Sequence, residues 1–136
     1  MQLNDLPLSA ARARELNPLV LAYIGDAVYE LYIRRSLIAA HSVSAHELHL
    51  RSIRFASAVG QSQALERVLP LLDEEETAIY RRGRNSKSAT VPKHAEVRQY
   101  RRATGLESVF GFLYLTGRTE RLRTLVSAAL AEENEE

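Results

Sequence analysis

The segment from Asn17 to about Ala40 constrains this chain more than any other. Asn17-Pro18 is a helix opening. The Asn side chain caps a free backbone N–H, and the proline ring presets a helical φ where no N–H is needed. A helix over that stretch is roughly 35 Å long at about 1.5 Å per residue. Leu19, Val20, Leu21, Ala22, Tyr23, Ile24, Ala27, Val28, Leu31, Tyr32 and Ile33 cover nearly its whole circumference. Such a helix is expected to be central and packed on several sides. It nevertheless carries two acids, Asp26 and Glu30, one turn apart on one face.

The rest of the sequence agrees with a helical fold. Leucine (20) and alanine (18) outnumber valine plus isoleucine (14), a balance that favours helix over strand. SAHE at 44–47 fits a capping box that opens a helix into the upper 50s. A short helix covers 61–69 and ends at Pro70. Asp73 then caps a helix with three acids in its positive first turn, running to about Arg82. The stretch GRNSKSATVPKH, 83–94, breaks periodicity and reads as a long basic loop. A long helix follows from about Ala95 to Thr116, stopped by Gly117. A last helix carries Leu122, Leu125, Val126, Ala129 and Leu130 on one face. No segment alternates as a strand does. The expectation is an all-α fold of six to seven helices with one long basic loop. At 136 residues it is expected to form one domain over 1–136, with an acidic, flexible tail at about 131–136.

Composition removes several function classes. There is no cysteine, hence no disulfide, thiolate metal site or cysteine nucleophile. The start, MQLNDLPLSA, lacks the basic and apolar regions of a signal peptide. The most apolar stretch, 18–40, contains Asp26, Glu30, Arg34 and Arg35, and each mid-membrane charge costs about 2.5–3.5 kcal/mol on insertion scales. A membrane span is therefore rejected, and a cytoplasmic location is expected. A net charge of +1 hides an asymmetry: between Arg81 and Arg102 there are eight Lys/Arg and one acid, Glu96. Sixteen of the eighteen basic residues are arginine, whose planar fork binds phosphate bidentately. A block of this kind suggests a polyanionic partner, its bland alternative being a solvated basic face.

A second acid stands out in GLESVFGFLYL, 105–115. Glu107 is the only acid between Val97 and Gly117, and its i−4 and i+4 neighbours, Ala103 and Gly111, cannot pair with it. Asp26 follows Gly25. Glycine on a helix lets another backbone come close, at a cost of about 1 kcal/mol relative to alanine. Two helices that each pair an acid with a nearby glycine can cross and bring Asp26 and Glu107 together. At about 5 Å two such charges repel by on the order of 3 kcal/mol at an effective dielectric of about 20. A divalent cation turns that penalty into binding, and all-oxygen ligands point to Mg²⁺, with Mn²⁺ as a substitute, rather than zinc. A metal beside a phosphate-binding surface suits phosphodiester hydrolysis. The competing readings are ordinary ones. Asp26 is satisfied by an arginine from another helix, and Glu30 forms an i,i+4 salt bridge with Arg34. His46 and His49 lack the HExxH arrangement and read as surface or capping residues, and GRNSKS is no Walker motif.

These residues also carry a resemblance. NPLVLAYIGDAVYE resembles the signature helix of the ribonuclease III family, and GLESVFGFLYL resembles its second motif. The similarity is closer to the Mini-ribonuclease III branch, a bare catalytic domain without a double-stranded-RNA-binding module. It extends to RSIRFASAVGQ (51–61), RRGRNSKSATVPK (81–93) and QYRRATGLE (99–107), covering about residues 17–130 in order. The wider family has two more glutamates, at places that fall on Leu19 and Ala22, and an aspartate where Thr104 stands. The Mini branch resembles this sequence in lacking them. The resemblance implies that Asp26 and Glu107 are the catalytic, metal-binding acids.

It also implies a two-fold homodimer in which each protomer cuts one strand of an RNA duplex, giving 5′-phosphate ends. The implied substrate is the large-subunit (23S) ribosomal RNA precursor, with a ribosomal protein that presents it as a further expected partner. Without an appended module the domain itself must hold the RNA. Arg81, Arg82, Arg84, Lys87, Lys93 and Arg101 suit phosphates, and Asn85 and Ser88 suit 2′-hydroxyls. The rival expectations are a catalytically inactive RNA-binding or ribosome-associated protein of the same fold, and a helical protein-interaction module.

Overall fold

The computed structural model describes residues 1–86 and 96–131, and among these it is all helix and connection, with no strand. Helix α1 spans Ala10–Glu15, α2 Pro18–Ala40, α3 Ala45–Ala56, α4 Ala58–Val68, α5 Glu74–Asn85, α6 Val97–Leu115 and α7 Thr119–Leu130. A 3₁₀ turn at Leu69–Leu71 carries Pro70 between α4 and α5. Most local signals act as their chemistry dictates, but at SAHE only half of the expected capping box forms: the Ser44 hydroxyl accepts from the Glu47 N–H (3.1 Å) while the Glu47 carboxylate pairs with Arg51. Asn17 Oδ1 accepts from the Leu19 N–H to start α2 (2.9 Å). Asp73 and Glu76 complete a reciprocal capping box at the start of α5. Gly117, at φ 71°, ends α6. Helix α5 runs on through Asn85, so Gly83, Arg84 and Asn85 are helical rather than part of the expected basic loop, and residues 87–94 of that loop and 132–136 of the acidic tail lie outside the described residues.

The core forms where α2 and α6 cross, with α4, α5 and α7 packed around them. Tyr29, Phe110, Phe112, Leu21, Ile33, Leu106 and Leu113 are its largest wholly buried side chains from those two helices. At the crossing the glycines work in reciprocal pairs. A Cβ on Gly25 would stand 1.7 Å from the Glu107 carbonyl oxygen, and one on Gly111 1.9 Å from the Leu21 carbonyl oxygen. Backbone thus meets backbone with no side chain between. Ser108 adds a polar tie, its hydroxyl 3.0 Å from the Pro18 carbonyl.

Two expectations are corrected. First, α2 is not packed on all sides. Leu21, Ala22, Gly25, Val28, Tyr29, Ile33 and Leu37 are buried, whereas Val20, Tyr23, Asp26, Ala27, Leu31 and Ile38 face outward. An apolar circumference supplies one face to the core and leaves a second uncovered. Second, α1 is an additional helix. Six residues are too few for independent stability; Arg82 of α5 holds α1 by donating to the Arg14 and Leu16 carbonyls (2.8 and 3.3 Å).

One buried ion pair is structural. Glu76, 1% exposed, takes two hydrogen bonds from Arg121 of α7 at 2.8 and 2.7 Å. Burial would raise its carboxyl, but the Arg121 bonds and the Asp73 backbone N–H outweigh it and hold the group below its usual range.

Candidate active site

Two acids far apart in sequence come together at the crossing. Gly25 seats α2 directly on the backbone of Glu107, so the next residue, Asp26, emerges beside the Glu107 side chain. The two side chains are neighbours, near enough for the Asp26 charge to act on Glu107. Their environments differ. Asp26 is exposed on the outward edge of α2, where a helix packed on several sides would have covered it, while Glu107 is half-buried. Burial pushes the Glu107 carboxyl up to about 8; a hydrogen bond from Gln61 opposes the rise and the Asp26 carboxylate adds to it. Glu30 lies a turn further on and pairs with Arg34 at 2.6 Å, the ordinary i,i+4 salt bridge.

Sequence reasoning missed Gln61. Its Nε2 donates to Glu107 Oε2 at 2.9 Å from the first turn of α4, although 46 residues separate the two. A neutral amide gives no charge signal in the sequence; its only mark was its place at the end of RSIRFASAVGQ. Tyr29 also lies behind the site. Burial pushes its hydroxyl up to about 12, with the Arg67 charge acting downward and Glu107 upward.

A hard divalent cation fits this donor set. Both donors are carboxylates, one of them held above its ordinary range by burial and by the other, so a cation between them relieves a conflict the fold creates. Among the described residues no group of three or more His, Cys, Asp and Glu surrounds the place, so the remaining ligands would be water and substrate oxygens. Thr104, standing where the wider family has an acid, turns its hydroxyl to the Tyr100 carbonyl of its own helix (3.0 Å). Leu19 is half-buried and Ala22 buried, and neither side chain can ligate a metal.

The ribonuclease III domain profile matches residues 19–118, which include α2 from its second residue, the acid pair and all of α6. The chain belongs to the ribonuclease III family. Within that family it is similar to the Mini-ribonuclease 3 of Thermoanaerobacter sp. (strain X514), with 47% identity over 85% of this chain and 81% of that protein. It is also similar to the Mini-ribonuclease 3 of Clostridium tetani, with 43% identity over 86% of this chain and 78% of that one. A crystal structure of a Fusobacterium nucleatum protein superposes with a TM-score of 0.75 at 31% identity, covering 84% of this chain and 91% of that one. The fold is therefore the ribonuclease III fold of the Mini-ribonuclease 3 branch.

The basic residues expected to take RNA divide by environment. Arg81 on α5 and Arg101 on α6 are exposed, and Arg101 stands about 9 Å along α6 from Glu107 at about 1.5 Å per residue. Arg84 stacks over the Tyr80 ring, 5.6 Å from its centroid, and donates to Asn85 Oδ1 at 3.1 Å. Arg82 is engaged with the α1 carbonyls. Arg102 pairs with Glu66. Lys87, Ser88 and Lys93 lie outside the described residues. No helix among the described residues is long and apolar enough to cross a membrane.

Proposed function

We propose that this chain is a Mg²⁺-dependent endoribonuclease that cleaves double-stranded RNA as a homodimer. The observation that carries this reading is the convergence of Asp26 and Glu107 across the α2–α6 crossing. These two residues would hold the cation. Once bound, it supplies an activated water and neutralises charge at the scissile phosphate. Asp26, exposed, is the carboxylate that meets the substrate side. Glu107, half-buried and tied to Gln61, is the fixed one.

Arg81, Arg84 and Arg101, with the family-matched Lys87 and Lys93, take backbone phosphates; Asn85 and Ser88 take 2′-hydroxyls, the groups that report A-form shape. Arg82 serves the set through its hold on α1. The products carry 5′-phosphate ends. On the motif resemblance to the Mini-ribonuclease III branch, the substrate is the large-subunit (23S) ribosomal RNA precursor, in the cytoplasm, with a ribosomal protein to present it. The outward apolar face of α2 supports the dimer: Tyr23 is 81% exposed, Leu31 66% and Ile38 65%. A two-fold axis there sets one site against each strand.

Thr104, Leu19 and Ala22, in place of further acids, favour a second reading as a catalytically inactive RNA-binding protein of this fold. One experiment separates the two. A labelled RNA duplex is incubated with Mg²⁺ or Ca²⁺, and with the Asp26→Asn and Glu107→Gln variants. The enzyme cuts in Mg²⁺, stalls in Ca²⁺, and loses cleavage but keeps duplex binding in both variants. No cleavage by the unaltered chain in any divalent cation selects the binding protein.

A further inference from the structure

We infer that Gln61 is the positioning residue of the cation site: its side-chain amide fixes the Glu107 carboxylate for metal binding, at the expense of the fold. The inference rests on the reading of Asp26 and Glu107 as the cation ligands.

The placement of Gln61 is built by the junction of α3 and α4. Ser57 is the C-cap of α3 and the N-cap of α4, its hydroxyl accepting from the Gly60 N–H at 3.0 Å. Gly60 lets the two helices meet at that corner, because a Cβ there would stand 1.9 Å from the Arg54 carbonyl oxygen. The corner aims Gln61, 3% exposed, inward at α6.

There Nε2 faces two acceptors, Glu107 Oε2 at 2.9 Å and the Ala56 carbonyl at 3.2 Å. A backbone carbonyl can only accept, so the Ala56 contact settles which end of the amide is nitrogen. Gln61 therefore presents a donor to Glu107 through a rigid arm anchored on α3. With Oε2 held, the carboxylate cannot rotate freely, and Asp26 lies within reach of the same group. Orientation of a metal ligand by a buried hydrogen-bond partner is worth about 10- to 100-fold in metal affinity.

The arm carries a penalty. Gln61 Oε1 is buried with no hydrogen-bond partner among the described residues. A buried carbonyl oxygen without a donor destabilises a fold, and an apolar side chain of the same shape would avoid that. A residue present only to support packing would not be an amide here. The amide is explained by what its other end does for Glu107.

The test is Gln61→Met, which keeps the length and volume and removes the donor. Cation binding is titrated calorimetrically with Mn²⁺ alone, in the absence of RNA, alongside thermal unfolding of the metal-free protein. Expected is a 10- to 100-fold weaker Mn²⁺ affinity with an unfolding midpoint close to that of the unaltered chain, the relief of Oε1 offset by the donor lost to Glu107 and Ala56. With duplex RNA and Mg²⁺ below saturation, cleavage falls while KM for RNA is unchanged, and raising Mg²⁺ restores the rate. The Asp26→Asn variant is titrated in parallel. Loss of Mn²⁺ binding in Asp26→Asn with full affinity in Gln61→Met overturns the role of Gln61 and leaves the site standing. Full affinity in both variants overturns the site reading and this inference with it. A Gln61→Met protein that melts well below the unaltered chain, with unchanged Mn²⁺ affinity, makes Gln61 a packing residue.

Discussion

Gly25 rests directly on the Glu107 carbonyl, so that a Cβ at position 25 would stand 1.7 Å from that oxygen and 2.8 Å from the Gly111 nitrogen. Both obstacles are backbone atoms at the centre of the core, and neither can swing aside as a side chain can. Relief requires α2 and α6 to separate, which also parts Asp26 from Glu107. Overpacking of this sort costs about 1–3 kcal/mol or more. Gly25→Ala is expected to lower the unfolding midpoint by several degrees, at roughly 4 °C for each kcal/mol in a domain of this size. It should also abolish cleavage without touching an acidic residue. Calorimetry and a duplex-cleavage assay check this, and a Gly25→Ala protein that melts and cuts like the unaltered chain would show the crossing to be looser than described.

The half-buried Glu107 carboxyl makes the metal-free fold sensitive to pH. Its folded pKa, about 8, lies above the ordinary value of 4.5, chiefly through burial. Between those two values the folded chain keeps a proton that the unfolded chain has released. Stability from this group is therefore full below about pH 4.5, declines as pH rises to about 8, and is flat beyond. The decline is on the order of a few kcal/mol. Glu107→Gln cannot lose the proton and is expected to remove that part of the slope. Denaturant unfolding in chelator from pH 5 to pH 8.5, compared between the two proteins, measures the difference. Equal slopes would mean that Glu107 ionises as freely in the fold as outside it.

The crossing could be read from the sequence because glycine and acid stand at fixed offsets on each helix, Gly25 before Asp26 and Gly111 one turn after Glu107. The helix ends were legible for a similar reason. Asn17-Pro18 and Asp73 with Glu76 act on atoms within three residues, so no tertiary knowledge is needed. Helix α1 was not legible, because six residues hold their shape only once Arg82 grips their last carbonyls. Gln61 was hidden for the same physical reason: its partner is 46 residues away and the bond involves no charge on its side. The exposure of Asp26 is not legible either, because an apolar run does not say whether its second face meets this chain or another.

Along α2, Val20 is 48% exposed, Tyr23 81%, Leu31 66% and Ile38 65%, a row of large apolar side chains on the helix that carries Asp26. Solvation of such a row is unfavourable, and fully burying one large apolar side chain gains about 1.5–3 kcal/mol. A second copy meeting it about a two-fold axis covers the same residues on both protomers. The unaltered chain is therefore expected to sediment as a dimer at micromolar concentration. The double substitution Tyr23→Ser with Leu31→Glu places like charges across the axis and removes two apolar contacts per protomer. It is expected to give a monomer with unchanged helical circular dichroism, since neither side chain contributes to the core of its own chain. Cleavage of both strands of a duplex should fall with dimerisation, while Mn²⁺ binding at Asp26 and Glu107 persists. A sedimentation profile that stays monomeric for the unaltered chain, or dimeric for the double variant, would move the contact between protomers to some other face.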